Sequence, residues 1–419
     1  MSSIIFCDGF DHYTTILDKW DAVLVNGGTP TIAPGVGRGG AGALSVNRIN
    51  TSNPQVQVQK DIGAHTTLYV GFAFYFNPTG QSVDQVVCMF QDGFTVQVAL
   101  WITPTGTMYF TRGGALATNI LGTAGTAYPT NSFHYVEVSV TINGSTGACQ
   151  LRVDQNVVSG MNVTGANTKA SANNSFDSVL LGPMSSGLSV NTYAAYFDDV
   201  YFDTSGFNGD VRVNGQLPSG NGSTQNFANV EASWAANAVT NLQTTIFDGT
   251  NLQRATAITG DFKTGGSAPT WNVTLGGTTT DNHVTWTNLG TVSQYKLVNE
   301  TDPDSESSYI QSNTLNDISR FTYPAISGSS VLAVVVWPNS RKDDGGTRTI
   351  QASIKSGSTI GTSGTDVALG TNYQYQMLQS LTDPNTGAAW TLAAVNAAEF
   401  GIKITRETLH KFLSRALIG

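Results

Sequence analysis

Carboxylates gathered on one strand could carry acid–base chemistry, and one dense group stands out: Asp198-Asp199 with Asp203. Cleavage of a glycosidic bond needs two carboxylates, roughly 5 to 9 Å apart, flanking that bond. A strand presenting such a set on one face reads Glu-x-Asp-x-x-Glu, and that pattern is absent. Adjacent strand residues point to opposite faces, so Asp198 and Asp199 serve one cleft only if a bulge intervenes. The expected role is therefore a strand-end aspartate bonding nearby backbone. Nucleophilic catalysis finds no GxSxG, and His12, His65, His134, His283 and His410 show no metal-ligand spacing. His283 is expected at the surface of a turn. These readings assign no catalytic residue and predict that the chain is not an enzyme.

Two further groups suit binding. Asp302, Asp304, Ser305 and Glu306 place oxygen donors at alternate positions, which suits a hard cation such as Ca2+. The run lacks the glycine and the bidentate twelfth residue of an EF-hand, and a solvated loop is the plainer reading, so no metal ligand and no cofactor-binding residue are assigned. Trp271 and Trp286 could stack on pyranose rings. The competing reading buries both, with Trp234 and Phe247, in the core of a domain of about 60 residues.

The elements that must position these residues are strands. Only 12% of the 419 residues are charged, 45 are glycine, 40% are hydrophobic and 10% aromatic. That balance suits many short strands and excludes disorder. The net charge of −9, with 20 scattered Lys and Arg, excludes a nucleic-acid surface. Cys7, Cys88 and Cys149 are too few for a disulfide framework, and Cys149, alternating with Leu151 and Val153, is expected in a core. No apolar run approaches the roughly 18 residues of a membrane span, and no secretion leader is read at the start.

Period-two alternation marks half-buried antiparallel strands. Leu68, Val70, Phe72, Phe74 and Phe76 share one face, as do Phe94, Val96, Val98 and Leu100. Val136, Val138, Val140 and Ile142 share another, with Glu137, Ser139 and Thr141 on the water side. Asn143 to Gly147 marks a hairpin. The fold class read from these patterns is all-β: two antiparallel β-sandwiches with a small inserted β module and a short C-terminal helix. Residues 1–212 form the first sandwich, 213–229 a linker or entry strand, 230–292 the inserted module and 293–405 the second sandwich. Thr391 is the N-cap of a short helix from Leu392 to Glu399. Residues 406–419 are predicted to form an amphipathic helix with Leu409, Phe412, Leu413, Ala416 and Leu417 on one face.

Specific runs carry resemblances. Gly265-Gly-Ser-Ala-Pro-Thr-Trp271 and Asp281-Asn-His-Val-Thr-Trp286 resemble a small Trp-containing module of tailed-bacteriophage structural proteins, similar in its aromatic pattern to chitin-binding modules. Phe6-Cys-Asp-Gly-Phe-Asp11 and Phe197-Asp-Asp-Val-Tyr201 resemble the paired first and last strands of a concanavalin A-like, laminin-G-like jelly roll. Asp383-Pro-Asn-Thr-Gly-Ala-Ala-Trp-Thr391 resembles the C-terminal end of many phage structural proteins. The resemblance implies a structural component of a bacteriophage virion, of its tail, assembled in the bacterial cytoplasm. Its implied partners are itself, as a trimer or ring, and other virion proteins. The alternative is a receptor-binding or head-decoration lectin adhering to host glycans. On either reading Leu409, Phe412, Leu413 and Leu417 are expected to dock on a partner, with a fold-back onto the second sandwich as the alternative.

Overall fold

The computed structural model describes residues 3–47, 51–52, 55–114, 119–184, 188–189, 194–304, 306–406 and 412–413. The chain divides into two units, Met1–Val213 and Asn214–Gly419. Both are built of strands, nearly all paired antiparallel.

In the first unit, an eight-stranded sheet runs in the order Asn156–Ala166, Gly147–Val153, Phe133–Thr141, Thr67–Asn77, Ala194–Asp203, Ala43–Ser45, Thr31–Ala33. The first strand, Ile4–Asp8, also pairs with Ala194–Asp203, so the two chain segments that resemble jelly-roll ends do meet. A seven-stranded sheet runs Ile120–Thr123, Met108–Arg112, Thr95–Ile102, Gln85–Asp92, Phe176–Leu181, Gln55–His65, Ala22–Asn26. Alternation dictates what lies between the sheets. Leu68, Val70, Phe72, Phe74 and Phe76 are fully buried, and so are Val98, Leu100 and Ile102. Phe74 stacks on Phe76 and meets Phe72 edge-on, and Phe197 meets Phe72 and Phe74 at 5.2 and 4.9 Å between ring centroids. Each such side chain contributes about 1.5 to 3 kcal/mol by leaving water.

Two positions depart from the period-two reading. Phe94 is not in the core: Asp92 pairs with Thr95, leaving Gly93-Phe94 as a two-residue hairpin tip with the phenyl ring fully exposed. Glu137 is not on the water side but fully buried. Alternation assigns a residue to a face and says nothing of what covers that face.

The second unit holds a six-stranded sheet built on Ile318–Thr322, Glu399–Arg406 and Thr349–Ser356, with Phe321, Ile350, Trp390, Phe400 and Ile402 in its core. Another six-stranded sheet runs Thr278–Asp281, Val284–Gly290, Leu252–Ile258, Thr245–Phe247, Ala228–Ser233, Ser308–Gln311. It takes in a strand beyond residue 292, and one of its pairings, Ala228–Ser233 with Thr245–Phe247, is parallel. The helix spans Leu392–Ala397, and the Thr391 hydroxyl accepts from the Ala394 N–H at 3.1 Å, as its sequence predicts. Glu399 already belongs to the next strand.

The predicted C-terminal helix needs correction where the chain is described. Phe412–Leu413 is a two-residue strand antiparallel to Arg341–Lys342. A helix of 14 residues is marginal in water, and strand pairing satisfies the same backbone groups. Leu409 and Leu417 lie outside the described residues. Among the described residues no helix is long and apolar enough to cross a membrane.

Candidate functional site

The faces of the first unit's sheets that turn away from the core differ in chemistry. On the eight-stranded sheet, Tyr135 and Glu137 lie opposite Ala73 and Gly71, and Asp198 and Tyr201 flank the same positions from the other side. The register slips between Asp198 and Tyr201, and Asp199 has φ +51°. This is the bulge that the sequence argument required for both aspartates to share one place. Gly71 is needed here because a Cβ would sit 2.1 Å from the Tyr201 ring.

Two segments cover this face. Loop 34–42 brings the Arg38 N–H to the Asp198 carboxylate at 2.7 Å. Gly37 permits that approach, since a Cβ there would lie 2.0 Å from the Gly42 carbonyl and 2.8 Å from Asp198 Oδ2. Segment 204–213 donates backbone N–H groups into the face: Asn208 to the Tyr201 hydroxyl, Gly209 to Glu137 at 2.7 Å and Val213 to Asp199 at 2.8 Å. Glu137 also accepts the Tyr201 hydroxyl at 2.6 Å, while its Oε2 is buried with no hydrogen-bond partner. Arg38 and Arg212 approach Asp199 at 3.6 and 3.3 Å, and Arg38 also pairs with Asp210.

Desolvation dominates the electrostatics. Burial, then the charge of Asp199, pushes Asp198 up to about 8. Burial also raises Asp199, to about 6, against the opposing pull of the Val213 N–H and the two arginines. Asp11, whose carboxylate accepts the Gly42 N–H, is raised by burial as well. Nearby, Asp8 accepts from Lys19, Trp20, Tyr13 and the Phe10 N–H. The carboxylate face is thus a buried, partly protonated anion cluster held by arginines and backbone donors. Among the described residues no three His, Cys, Asp or Glu side chains are grouped to hold a metal ion.

The outward face of the seven-stranded sheet carries amides along one strand and a buried apolar cluster of Val86, Met89, Ala99, Trp101, Tyr109 and Leu180 across its middle. Gln55-Val-Gln57-Val-Gln59-Lys-Asp61 alternates so that one side of the strand is polar throughout. Gln55 donates to Gln57 at 2.9 Å, Gln57 to the Gly182 carbonyl at 2.9 Å, and Gln59 to Asp61 at 2.7 Å. Across the sheet, Leu180 opposes Gln59, and Ser178 opposes Asp61 on one side and Gln91 on the other. Trp101 and Tyr109 stack at 6.2 Å with a 7° interplanar angle. The Trp101 N–H donates to Thr111 at 2.9 Å and the Tyr109 hydroxyl to Asp84 at 2.6 Å. Burial and the Asp84 carboxylate push the Tyr109 phenol up, so it remains a donor. The Ser178 hydroxyl is buried with no hydrogen-bond partner. Gln55, Gln59, Asp61, Asp84 and Gln91 retain solvent exposure. Trp101, Tyr109, Thr111, Ser178 and Gln57 are buried, so the accessible donors and acceptors of this face are the side chains of Gln55, Gln59, Asp61, Asp84 and Gln91. Sequence reasoning missed this face, although the strict Gln/Val alternation was its signal.

The tryptophans singled out earlier lie in the second unit. Trp286 is 1% exposed, meets Trp271 edge-on at 6.1 Å, and shares a core with Ile246, Ala255 and Val284. It has no free face for a sugar, so the core-filling alternative describes it. Trp271 is half-buried. The Trp234 and Trp286 N–H groups both donate to Asp281. His283 is partly exposed and pairs with Asp261. The acidic run is dispersed among partners: Asp304 is buried and accepts from the Thr245 N–H and Ser308, while Glu306 turns to Arg341. Ser305 lies outside the described residues.

No protein-family model matches the chain, and no curated protein does. Solved structures with the same jelly roll do match about half of it. The cellulose-induced protein Cip1 is 15% identical over 49% of this chain and 100% of its own, with a TM-score of 0.39. The alginate lyase Aly36B is 13% identical over 45% and 88%, with a TM-score of 0.32. Lectin I from Ulex europaeus, in complex with a methyl glycoside of α-L-fucose, is 12% identical over 46% and 95%, with a TM-score of 0.31. At these identities the likeness is one of fold. Because the fold is shared with an alginate lyase, the expectation that this chain is not an enzyme is withdrawn.

Proposed function

We propose that the first unit is a glycan-binding jelly roll, with its ligand laid across the amide-rich face of the seven-stranded sheet. The observation that carries this reading is the row of Gln55, Gln59 and Asp61, which keeps amide and carboxylate groups in contact with solvent along one strand, with the buried Gln57 fixed beneath on the Gly182 carbonyl. We further propose that the chain is an outer component of a bacteriophage particle, of its tail, which assembles with itself and with neighbouring virion proteins and adheres to host-surface glycan. The sequence resemblances at Asp383 to Thr391 and around Trp271 and Trp286 support the virion reading, and the polar face supports adhesion.

The test is binding of the full chain to a panel of bacterial surface polysaccharides. Gln59→Ala with Asp61→Ala should weaken binding about tenfold, since each lost hydrogen bond is worth about 0.5 to 1.5 kcal/mol. Unchanged affinity would remove the amide face from the account. Peptide mass spectrometry of purified particles tests the virion assignment separately.

A further inference from the structure

Where the strand Phe133–Thr141 begins and Gly147–Val153 ends, the first unit brings a serine, a histidine and an aspartate into line. Val136 pairs with Val153, so the turn residue Asp154 falls beside Tyr135 and the neighbouring His134. Two backbone bonds fix Asp154 there. Its N–H donates to the Tyr135 carbonyl at 2.8 Å, and the Tyr135 N–H donates to its Oδ1 at 2.9 Å. Its Oδ2 lies 2.6 Å from His134 Nδ1. The far ring nitrogen, Nε2, lies 2.9 Å from the Ser132 hydroxyl. The imidazole also rests edge-on against the Tyr128 ring at 5.8 Å. Asn131, with φ +63°, turns the chain into Ser132, and its N–H is tied to the Phe76 carbonyl at 2.9 Å. Ser132 and Asp154 are exposed, so the set opens to solvent.

The hydrogen-bond directions follow from the groups themselves. The Asp154 carboxylate can only accept, so Nδ1 carries the ring proton and Nε2 presents its lone pair to the Ser132 O–H. In this arrangement a histidine acts as general base to a serine nucleophile while the aspartate holds its tautomer. The Ser132 N–H donates to no group among the described residues, which leaves it for an oxyanion. We propose that Ser132, His134 and Asp154 form an acyl-transfer site that hydrolyses short-chain carboxylic esters. Ser132 Oγ attacks the ester carbonyl carbon, and its proton passes to His134 Nε2. The bond to the alcohol oxygen breaks, and the imidazolium returns that proton to the departing alcohol. Water then attacks the acyl-serine and gives its proton to Nε2. The acid leaves, and Ser132 Oγ takes the proton back. The balance is ester plus water to alcohol plus acid, with no co-reactant beyond water. An open site with one backbone oxyanion donor suits esters over amides, whose amine leaving group demands stronger stabilisation. Asp154 acts through His134 as a positioning residue. The inference goes beyond the glycan reading and does not depend on it.

Hydrolysis of 4-nitrophenyl acetate by the full chain, together with labelling by diisopropyl fluorophosphate, tests it. Wild type should turn over many equivalents of ester and take up one phosphoryl group, mapped to Ser132 by peptide mass spectrometry. Cys7, Cys88 and Cys149 are buried, so no thiol competes as nucleophile. Ser132→Ala, at an exposed position, should keep the wild-type thermal midpoint, lose the label and lower kcat at least about a hundredfold. Asp154→Asn keeps an acceptor for the Tyr135 N–H but puts the ring proton on the wrong nitrogen. It should lower kcat at least about tenfold with KM unchanged. Hydrolysis surviving in Ser132→Ala would assign the rate to the imidazole alone and overturn the proposal. So would an unlabelled Ser132, an Asp154→Asn kcat equal to wild type, or a wild type no faster than free histidine at the same concentration.

Discussion

The two outward faces of the first unit start from the same backbone geometry and differ in the charge they carry and in what they leave open. The eight-stranded sheet collects Glu137, Asp198, Asp199 and Asp203 and then buries them under loop 34–42 and segment 204–213. The seven-stranded sheet buries Gln57, Thr111, Ser178, Trp101 and Tyr109 as well, and it leaves Gln55, Gln59, Asp61 and Gln91 in contact with solvent. Charge has to be compensated once it is buried, so the carboxylates recruit backbone N–H groups and arginines from flanking chain. Neutral amides need no counter-charge: Gln55 donates to Gln57, and the buried Gln57 and Gln97 are satisfied by backbone groups of flanking chain. Carboxylates on a jelly-roll face are therefore a poor guide to the ligand surface in this chain. The same residues are a good guide to where the fold is held shut.

Four substitutions or conditions should separate the faces, in falling order of effect. Glu137→Ala leaves the Tyr201 hydroxyl and the Gly209 N–H without their acceptor, and should cost about 2 to 5 kcal/mol of unfolding free energy in urea. A loss within about 0.5 kcal/mol would mean that the cover over Glu137 is loose.

The next effect is on pH dependence. Asp198 and Asp199 have folded values raised above their ordinary one, so the native state binds more protons than the unfolded chain between about pH 4 and 8. Their contribution is fully present below that window and is lost as pH rises through it. Thermal unfolding of the first unit should fall in midpoint from pH 5 to 9, by an equivalent on the order of 3 kcal/mol. Asp198→Asn should flatten the slope, and a midpoint that rises over this range would contradict the sign. Gly71→Ala comes third, because its Cβ would meet the Tyr201 ring at 2.1 Å, and overpacking of that kind costs about 1 to 3 kcal/mol by denaturant titration. Last, Gln59→Ala on the open face should change stability by less than about 0.5 kcal/mol. A large loss there would show that the amide face, too, is structural.

Much of the fold was legible because alternation is a direct image of the pleat. The Thr67–Asn77 and Phe133–Thr141 strands, the buried Cys149 and the Thr391 cap all follow from spacing and residue type. What failed was whatever depends on distant chain. Glu137 looks solvent-facing until segment 204–213, about 70 residues on, covers it. Phe94 looks like a strand residue because the apolar pattern runs through the turn, where only Gly93 marks the tip. The bulge at Asp199 has no local sequence mark, so the sequence could state the condition for a shared aspartate site and not whether it was met. Leu413 falls on a helical stripe by spacing and pairs as strand through its backbone, to which spacing is blind. The amide row was legible in Gln55-Val-Gln-Val-Gln59, but neutral glutamines carry no titrating group that would mark them as a site.

The most direct test of the central contrast is a calorimetric titration of one host polysaccharide fragment into three proteins. These are the wild-type full chain, Gln59→Ala with Asp61→Ala on the open face, and Asp210→Ala on the covering segment of the closed face. The account predicts about a tenfold weaker Kd for the first variant and a wild-type Kd for the second. Wild-type affinity in the first variant with a weakened Kd in the second would contradict it, and would place the ligand on the carboxylate face.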